Sequence, residues 1–402
     1  MKIIYFFEYL VSWMVFLYLS ANTFYLLFIA LCGRLIKART FGINADKNRI
    51  AVLIPCFKED QIILDTAKQA KLHDYPASLF SVNVIADKLN QETIQRLKQL
   101  SVNVLEVDLN MKSRSLHAAL ESELVAGFDL VVILDADNIM GPGCLEKINS
   151  AFQAGCLAVQ CHRTAKNKNT SVAILDAISE EININLFRRG PAVVGLSAAP
   201  IGSGMAFQTK LIREIFSTEE ILANPGEDRE IDIQLMRRKI KMEFLEDAFV
   251  YDEKVSSAGV FEKQRVRWLE AQVNHLKRFY DQDMKSAPRT FLYYNKLFQN
   301  ILLPRVLTLV LFCGVFFVLF VQNILHVNLF HPNPIVWFGV MCLYFFTLLI
   351  SIPPVFYNWQ TMNALSRIPL LMFTMVKAVF QVKKRRAEFI HTPKSYQSGE
   401  NK

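Results

Sequence analysis

From Ile3 to Leu31 the chain runs through 29 residues with a single charge, Glu8, and no other feature constrains the fold as strongly. A helix of that length rises far enough to cross a hydrocarbon layer of about 30 Å. A cleaved signal peptide would need a shorter apolar run, a small-residue cleavage site and a more basic start than the single Lys2, so the stretch reads as a retained span. Arg34, Lys37 and Arg39 follow directly, and the positive-inside tendency then places the middle of the chain in the cytoplasm. Apolar sequence returns after Pro288. Leu302 to Val321 and Ile335 to Val355 are each long enough to span, and Gln322 to Pro334 between them has no Lys or Arg, as an outside loop should. Arg367 to Val382 is only 16 residues and carries Arg367 and Lys377, which reads as an interfacial amphipathic helix. That keeps Lys383-Lys384-Arg385-Arg386 cytoplasmic, whereas a fourth full span would place the run outside.

The 402 residues are 52% apolar, enough to bury a catalytic core and still leave sequence for a bilayer. A formal charge of +8 raises the question of nucleic acid, but no aromatic-interleaved basic motif accompanies it and much of the excess flanks the membrane segments. Anionic lipid headgroups are the more natural partner, beside a plain solvated anchor. The seven cysteines form no Cys-x-x-Cys pair, and they read as reduced packing residues. His73, His117, His162 and His275 are isolated in sequence, which argues against a histidine-ligated metal and leaves oxygen ligands open.

The middle of the chain alternates strand and helix. Ile50 to Pro55 is a β-rich run stopped by proline, followed by helical spacing from Lys58 to Leu72. Ser81 to Ala86 with Gln91 to Leu100, and Val102 to Val107 with Ser113 to Leu124, repeat the unit, which predicts a mostly parallel sheet covered by helices. Leu130 to Leu134 is the most strand-like segment, and it runs into Asp135-Ala136-Asp137 before the turn Gly141-Pro142-Gly143. Both carboxylates then lie at the carboxyl end of a central strand, where open α/β sheets bind ligands. A spacing of two puts them on one side of an extended segment, where their repulsion would be relieved by Mg²⁺ or Mn²⁺. By itself the pattern reads more often as a helix-capping or turn pair.

Other polar positions are similarly two-sided. Asp87 closes a strand, where it could accept a hydrogen bond from a nucleotide base or cap the next turn. Lys112 precedes a helix start, where an ammonium meets a diphosphate beside free N–H groups, or is simply exposed. Gly202-Ser203-Gly204 is either a turn admitting a second substrate or a plain loop. Glu227-Asp228 opens a helix as a dipole partner or as a general base at a cleft rim. Gln264 shares a helix face with Arg267 and Trp268, within a helical run from Phe261 to Phe279. That face offers an amide, a guanidinium able to fork a diphosphate and an indole on which a sugar ring can stack.

Taken in order, Asp87, Asp135-Ala136-Asp137, Glu227-Asp228 and Gln264-x-x-Arg267-Trp268 resemble the membrane-bound family-2 glycosyltransferases, the group of cellulose, hyaluronan and poly-N-acetylglucosamine synthases and ceramide glucosyltransferases. The likeness covers roughly Ile50 to Tyr280. It implies a GT-A fold, Rossmann-like with a mostly parallel sheet, as a cytosolic catalytic domain flanked by transmembrane helices in the cytoplasmic (inner) membrane. It also implies a nucleotide-sugar donor, usually a UDP-sugar, and inversion at the anomeric carbon. By position, Asp87 would contact the base, Asp135 the ribose and diphosphate, and Asp137 a divalent cation, Mg or Mn. Lys112 and Arg267 would neutralise the leaving diphosphate, and Asp228 would be the catalytic base. Trp268 would floor the acceptor site, with Gln264 and Arg265 at its edge. Gly226 in place of threonine, Met111 in place of glycine and His117 in place of asparagine depart from the family pattern. The expected organisation is 1–40 as transmembrane helix and basic flank, 48–282 as GT-A domain, 283–386 as two spans plus interfacial helix, and 387–402 as cytoplasmic tail. So few spans turn attention to a lipid-linked acceptor, or to an oligomer or accessory subunit completing a pore for a growing polysaccharide. A non-catalytic glycosyltransferase-like subunit is the alternative, and loss of Asp137, Asp228 or Arg267 would be its sign.

Overall fold

Ile50 to Ile54 and Leu130 to Leu134 are apolar at every position rather than every second one, and all ten are buried. Strands of that kind are covered on both faces. Ile50, Val52, Leu130 and Val132 feed one core, while Ala51, Leu53, Val131 and Ile133 feed another on the opposite side of the sheet. The computed structural model describes residues 2–381 except 225, 255–257 and 328–329. Val382, the basic run 383–386 and the tail 387–402 therefore lie outside the described residues.

The strands are β1 (Ile50–Phe57), β2 (Phe80–Asp87), β3 (Asn103–Val107), β4 (Leu130–Ile133), β5 (Ile139–Met140), β6 (Ala158–Ala165), β7 (Met205–Gln208) and β8 (Glu243–Asp252). They form one sheet in the order β3-β2-β1-β4-β7-β6-β8-β5. β3, β2, β1 and β4 are parallel, β7 runs antiparallel to both β4 and β6, β6 and β8 are again parallel, and β5 is an antiparallel edge. The α/β sheet is thus mostly parallel, with the GT-A class of architecture, and a single reversed strand sits inside it.

Several expected boundaries move for identifiable reasons. Proline does not stop β1: Pro55 pairs in register with Ile85. Leu53 O accepts from Leu134, so the odd residues of β1 face β4, and the last β1–β4 pair is Leu53 with Ile133. The missing N–H of Pro55 therefore points where no strand needs it. The helix expected from Lys58 starts only at Ile63 and ends at Lys71, because Lys58 takes a left-handed φ of 57°.

Among the described residues three helices are long and apolar enough to cross a membrane: Lys2–Leu35, Arg305–Ile324 and Pro334–Ser351. The second starts three residues later than expected, with Pro304 as its cap, and the third ends before Pro353-Pro354. Arg34 closes the third by donating to Ile350 O and Ser351 O, each at 2.7 Å. Phe24, Phe28, Phe317, Phe320 and Phe346 stand exposed on the outward faces of these helices.

The helix Ser171–Ile184 joins the two halves of the molecule. Ile174, Leu175, Ile178 and Ile182 pack with Leu19, Phe312, Trp337 and Tyr344 of the long apolar helices. Asp176 and Glu180, four apart on another face, line the cavity under the sheet. At Gly190 the N-terminal helix passes so near that a Cβ would lie 2.5 Å from Ile29 Cγ2 and 2.6 Å from Ile29 O. Only glycine allows that crossing.

Candidate active site

β4 ends at Ile133 and the chain turns at once, with Asn138 N donating to Asp135 O at 3.0 Å. Asp135 and Asp137 therefore do not share one side of an extended segment. The turn sends them to different partners.

Asp135 Oδ1 accepts from Lys112 Nζ at 2.6 Å, and the same ammonium donates to Gly202 O at 2.7 Å and lies 2.8 Å from Glu227 Oε1. Lys112 is consequently not an ordinary exposed lysine. It is the first residue of the helix Lys112–Glu121, held between two carboxylates from distant elements. Burial alone would lower its pKa, but the charges of Asp135 and Glu227 outweigh that and raise it. Glu227 is pushed above the usual carboxylate range by burial, and Asp228 and Asp135 add to the shift. Gly202 adopts φ +87°, a conformation that favours glycine, and it borders all three side chains: a Cβ there would lie 3.6 Å from Lys112 Nζ, 3.7 Å from Glu227 Oε1 and 3.8 Å from Asp228 Oδ2, in ordinary contact. The glycine turn is thus part of the site rather than a plain loop.

Asp228 sits in the first turn of the helix Glu227–Arg237, and its Oδ1 accepts from Arg229 N at 2.8 Å. Arg267 comes from the helix Ala258–Arg278. Burial lowers its pKa, and the charges of Glu227, Asp135 and Asp228 partly offset this, so its guanidinium is within electrostatic reach of all three.

Asp137 is buried in a second network. With the Asn138 amide oriented to satisfy its neighbours, its nitrogen donates to Asp137 Oδ1 at 2.9 Å and Asp252 Oδ1 at 3.2 Å, and its oxygen accepts from Ser203 Oγ at 3.0 Å. Ser203 Oγ also accepts from Asp135 N at 2.9 Å. Beyond Asp252 lies a charged quartet. Lys254 Nζ is 2.6 Å from Asp252 Oδ2 and contacts Glu180, whose Oε1 takes Arg163 Nε at 2.6 Å. Ser203 lies in the glycine turn read from sequence and Asn138 directly follows the acidic pair, but none of Glu180, Arg163 or Lys254 was marked by a motif. A buried charge becomes visible only with its partner, and Glu180 and Lys254 are 74 positions apart.

Asp87 is 1% exposed and spends its carboxylate on Asn110 N at 2.7 Å, Leu109 N at 3.4 Å and Ser115 Oγ at 3.3 Å. It shapes the approach to Lys112 while lining the cavity. Arg265 is bound by Asp176 Oδ1 at 2.6 Å, and its guanidinium lies 4.2 Å over the Trp268 ring. Its geometry holds the indole in place. Gln264 Oε1 is buried without a hydrogen-bond partner. All nine sequence-selected residues line a single cavity of about 930 Å³, near the top of the roughly 300–1,000 Å³ range of small-molecule sites. Among the described residues no three of His, Cys, Asp and Glu converge as a metal cage. Mg²⁺ and Mn²⁺ beside phosphates need only one or two carboxylates, and the Asp135 to Asp137 turn offers that number.

His162, expected to be isolated, pairs with Glu181. Its Nε2 is 3.1 Å from Oε2, and its Nδ1 lies 3.0 Å from Glu246 O at the bulge where β6 and β8 slip register. Burial lowers its pKa, but the Glu181 bond and charge outweigh that and leave it raised. A raised folded value contributes stability that is complete below the unfolded pKa and lost as pH climbs through the folded one. The thermal midpoint of the purified protein is therefore expected to fall as pH rises above about 6.5, and His162→Gln should flatten that slope. Parallel slopes in the two proteins would assign the pH dependence elsewhere.

The sheet order defines a GT-A type architecture. The sequence model of glycosyltransferase like family 2 matches residues 48–271, and the chain belongs to that family. Among solved structures it is similar to the mannosyltransferase PcManGT from Pyrobaculum calidifontis in complex with GDP-Man and Mn²⁺. The identity is 16% and the TM-score 0.58, over 92% of this chain and 99% of that one. Lower on the scale are S. aureus TarS 1–349 in complex with UDP-GlcNAc, at 13% identity and TM-score 0.37 over 57% and 66% of the two chains, and glucosyl-3-phosphoglycerate synthase from Mycobacterium tuberculosis, at 14% and 0.39 over 57% and 79%. Comparison with curated proteins gives no match.

Proposed function

We propose that this protein is an inverting, metal-dependent glycosyltransferase that moves a sugar from a nucleotide-sugar to a hydroxyl of a lipid-linked or polysaccharide acceptor at the cytoplasmic face of the inner membrane. The single observation that carries this reading is the convergence of Lys112, Asp135, Glu227 and Asp228 around Gly202 at the end of β4, within reach of Arg267. The similar mannosyltransferase, solved in complex with GDP-Man and Mn²⁺, and the family membership support donor and metal alike.

In this mechanism the donor's diphosphate lies over the first turn of the helix Lys112–Glu121, with Lys112 and Arg267 neutralising charge as it leaves. Asp87, its carboxylate held by Leu109 N, Asn110 N and Ser115 Oγ, has to give up part of that bonding to receive the base, and Asp135 receives the ribose and diphosphate. Asp137, with its Oδ1 fixed by Asn138, would hold the divalent cation, which supplies Lewis-acid stabilisation of the diphosphate. Asp135, Asp137, Glu227 and Asp228 outnumber Lys112 and Arg267, so a dication also offsets the local excess of negative charge. Asp228 takes the proton from the acceptor hydroxyl as it attacks from the face opposite the leaving group. Trp268 supports the acceptor, with Gln264 at its edge and Arg265 holding the indole. No covalent enzyme intermediate is required.

The test is nucleoside-diphosphate release by detergent-purified full-length protein over a panel of UDP- and GDP-sugars, with membrane lipid extract as acceptor. Release from one donor with Mn²⁺ or Mg²⁺, reduced at least tenfold by chelator, is the expected outcome. Folded protein that binds no donor in the panel would overturn the reading.

A further inference from the structure

The cavity that holds the carboxylates does not end at the sheet. It runs on past Trp268 into an arm between the two C-terminal apolar helices and the helix Ile368–Gln381. Leu309, Phe345, Leu348, Leu371, Met372 and Met375 line that arm. The helix Ile368–Gln381 is bound to the catalytic side as well, since Met375 and Ala378 pack on Val266 and Leu269 of the helix that carries Arg267 and Trp268. The helix that carries Arg267 and Trp268 thus packs directly on the helix whose Leu371, Met372 and Met375 line the apolar arm.

An arm lined this way is a poor path for a glycan. Each sugar hydroxyl entering it would give up its water without gaining a partner. A hydrocarbon tail has no such groups to satisfy and removes its own apolar surface from water. At the junction, polar groups reappear. Arg305, the first residue of its helix, donates through Nη2 to Ser179 O at 2.7 Å and Ser179 Oγ at 2.8 Å, while its Nη1 is buried without a hydrogen-bond partner. Gln264 Oε1 is likewise unpartnered. Both residues line the same cavity as the apolar arm, and a donor and an acceptor left open there suit the oxygen-rich head of an amphiphile.

Resting on the transferase reading above, we infer that the acceptor is a single membrane lipid, with its tail in the arm between the helices Arg305–Ile324, Pro334–Ser351 and Ile368–Gln381 and its head at Arg305 and Gln264. The lipid presents a hydroxyl oxygen to Asp228 from the membrane side. The C–O bond from anomeric carbon to diphosphate breaks as the bond to the lipid oxygen forms. The hydroxyl proton passes to Asp228, and the nucleoside diphosphate departs toward Lys112 and Arg267. One sugar is added per lipid, because the elongated head would have to re-enter the polar chamber for a second transfer.

The experiment compares wild type with Met372→Trp, which fills the arm, and with Leu309→Trp, which fills it from the facing helix. Each is placed in nanodiscs of total membrane lipid extract and given labelled UDP- and GDP-sugars. Donor affinity, measured separately by calorimetry, reports whether fold and donor site persist. Wild type is expected to place label in organic-phase product bearing one added sugar, and at least one filling variant that keeps donor affinity within about threefold should lose this incorporation at least tenfold. Label found in a water-soluble polymer, or wild-type incorporation by both filled variants, would overturn the lipid assignment while leaving the transferase standing. Wild type that is folded yet binds no donor would remove both.

Discussion

Asp228→Asn is expected to cut the rate of sugar transfer by about 10²–10⁴, the range over which a positioned general base contributes, while changing donor affinity by no more than about threefold. The side chain is held for that role. Its Oδ1 is anchored by Arg229 N, which leaves Oδ2 on the Gly202 side of the cavity, beside the Lys112 cluster. Asparagine keeps the shape and can keep the bond from Arg229, so it removes the proton acceptor with little else. Initial rates at saturating donor, beside calorimetric donor binding, separate the two effects. A folded Asp228→Asn protein that transfers at the wild-type rate would assign proton removal to another group.

Lys254→Met should destabilise the fold by about 3–5 kcal/mol, the cost of removing one partner from a buried ion network. Lys254 is 2% exposed and bridges Asp252 and Glu180. Burial pushes its pKa down, and the two carboxylates more than restore it. Glu180 is driven up by burial and brought below the ordinary range by Arg163 and Lys254. Without the ammonium, two carboxylates face one guanidinium in a place water reaches poorly. The thermal midpoint should drop by roughly 6–20 °C. Replacing Glu180 with leucine in the same protein should recover part of the loss, since one uncompensated charge goes with it. A Lys254→Met midpoint within about 2 °C of wild type would show that the quartet carries no net stability. The network also reaches function, because Asp252 shares the Asn138 amide with Asp137.

Both experiments turn on residues that differ in how visible they were. Asp228 was legible from its place in a helix-opening acidic pair and from the family order of motifs, as were Asp135, Asp137 and Arg267. The central strands were legible too, since an apolar run filled at every position and stopped by polar residues is a local pattern. The long apolar helices were legible by length, though prolines moved their ends by a few residues. Lys254, Glu180 and Arg163 were not legible. In isolation each is a charged residue of no special setting, and its burial follows from β6, β8 and the helix Ser171–Ile184 meeting in space. Lys112 was legible as a candidate diphosphate partner, but its ion pairs were not, because its two carboxylates come from positions 23 and 115 residues later.

Composition and periodicity were therefore enough for the membrane-length segments and the covered strands, because those properties are set by neighbours within a turn or two of chain, while the ordered series of acidic and basic motifs was legible only through the family resemblance. They did not reveal that β7 is reversed within the sheet, that Pro55 is tolerated inside β1, or that one cavity links the carboxylate chamber to an apolar arm. Each of these depends on which groups lie opposite one another after folding: whether a neighbouring strand needs a given N–H, whether a buried charge finds its counterion, whether two distant surfaces leave a space between them. Pairings of that kind are decided by desolvation and packing across the whole chain, and no local stretch of sequence carries them.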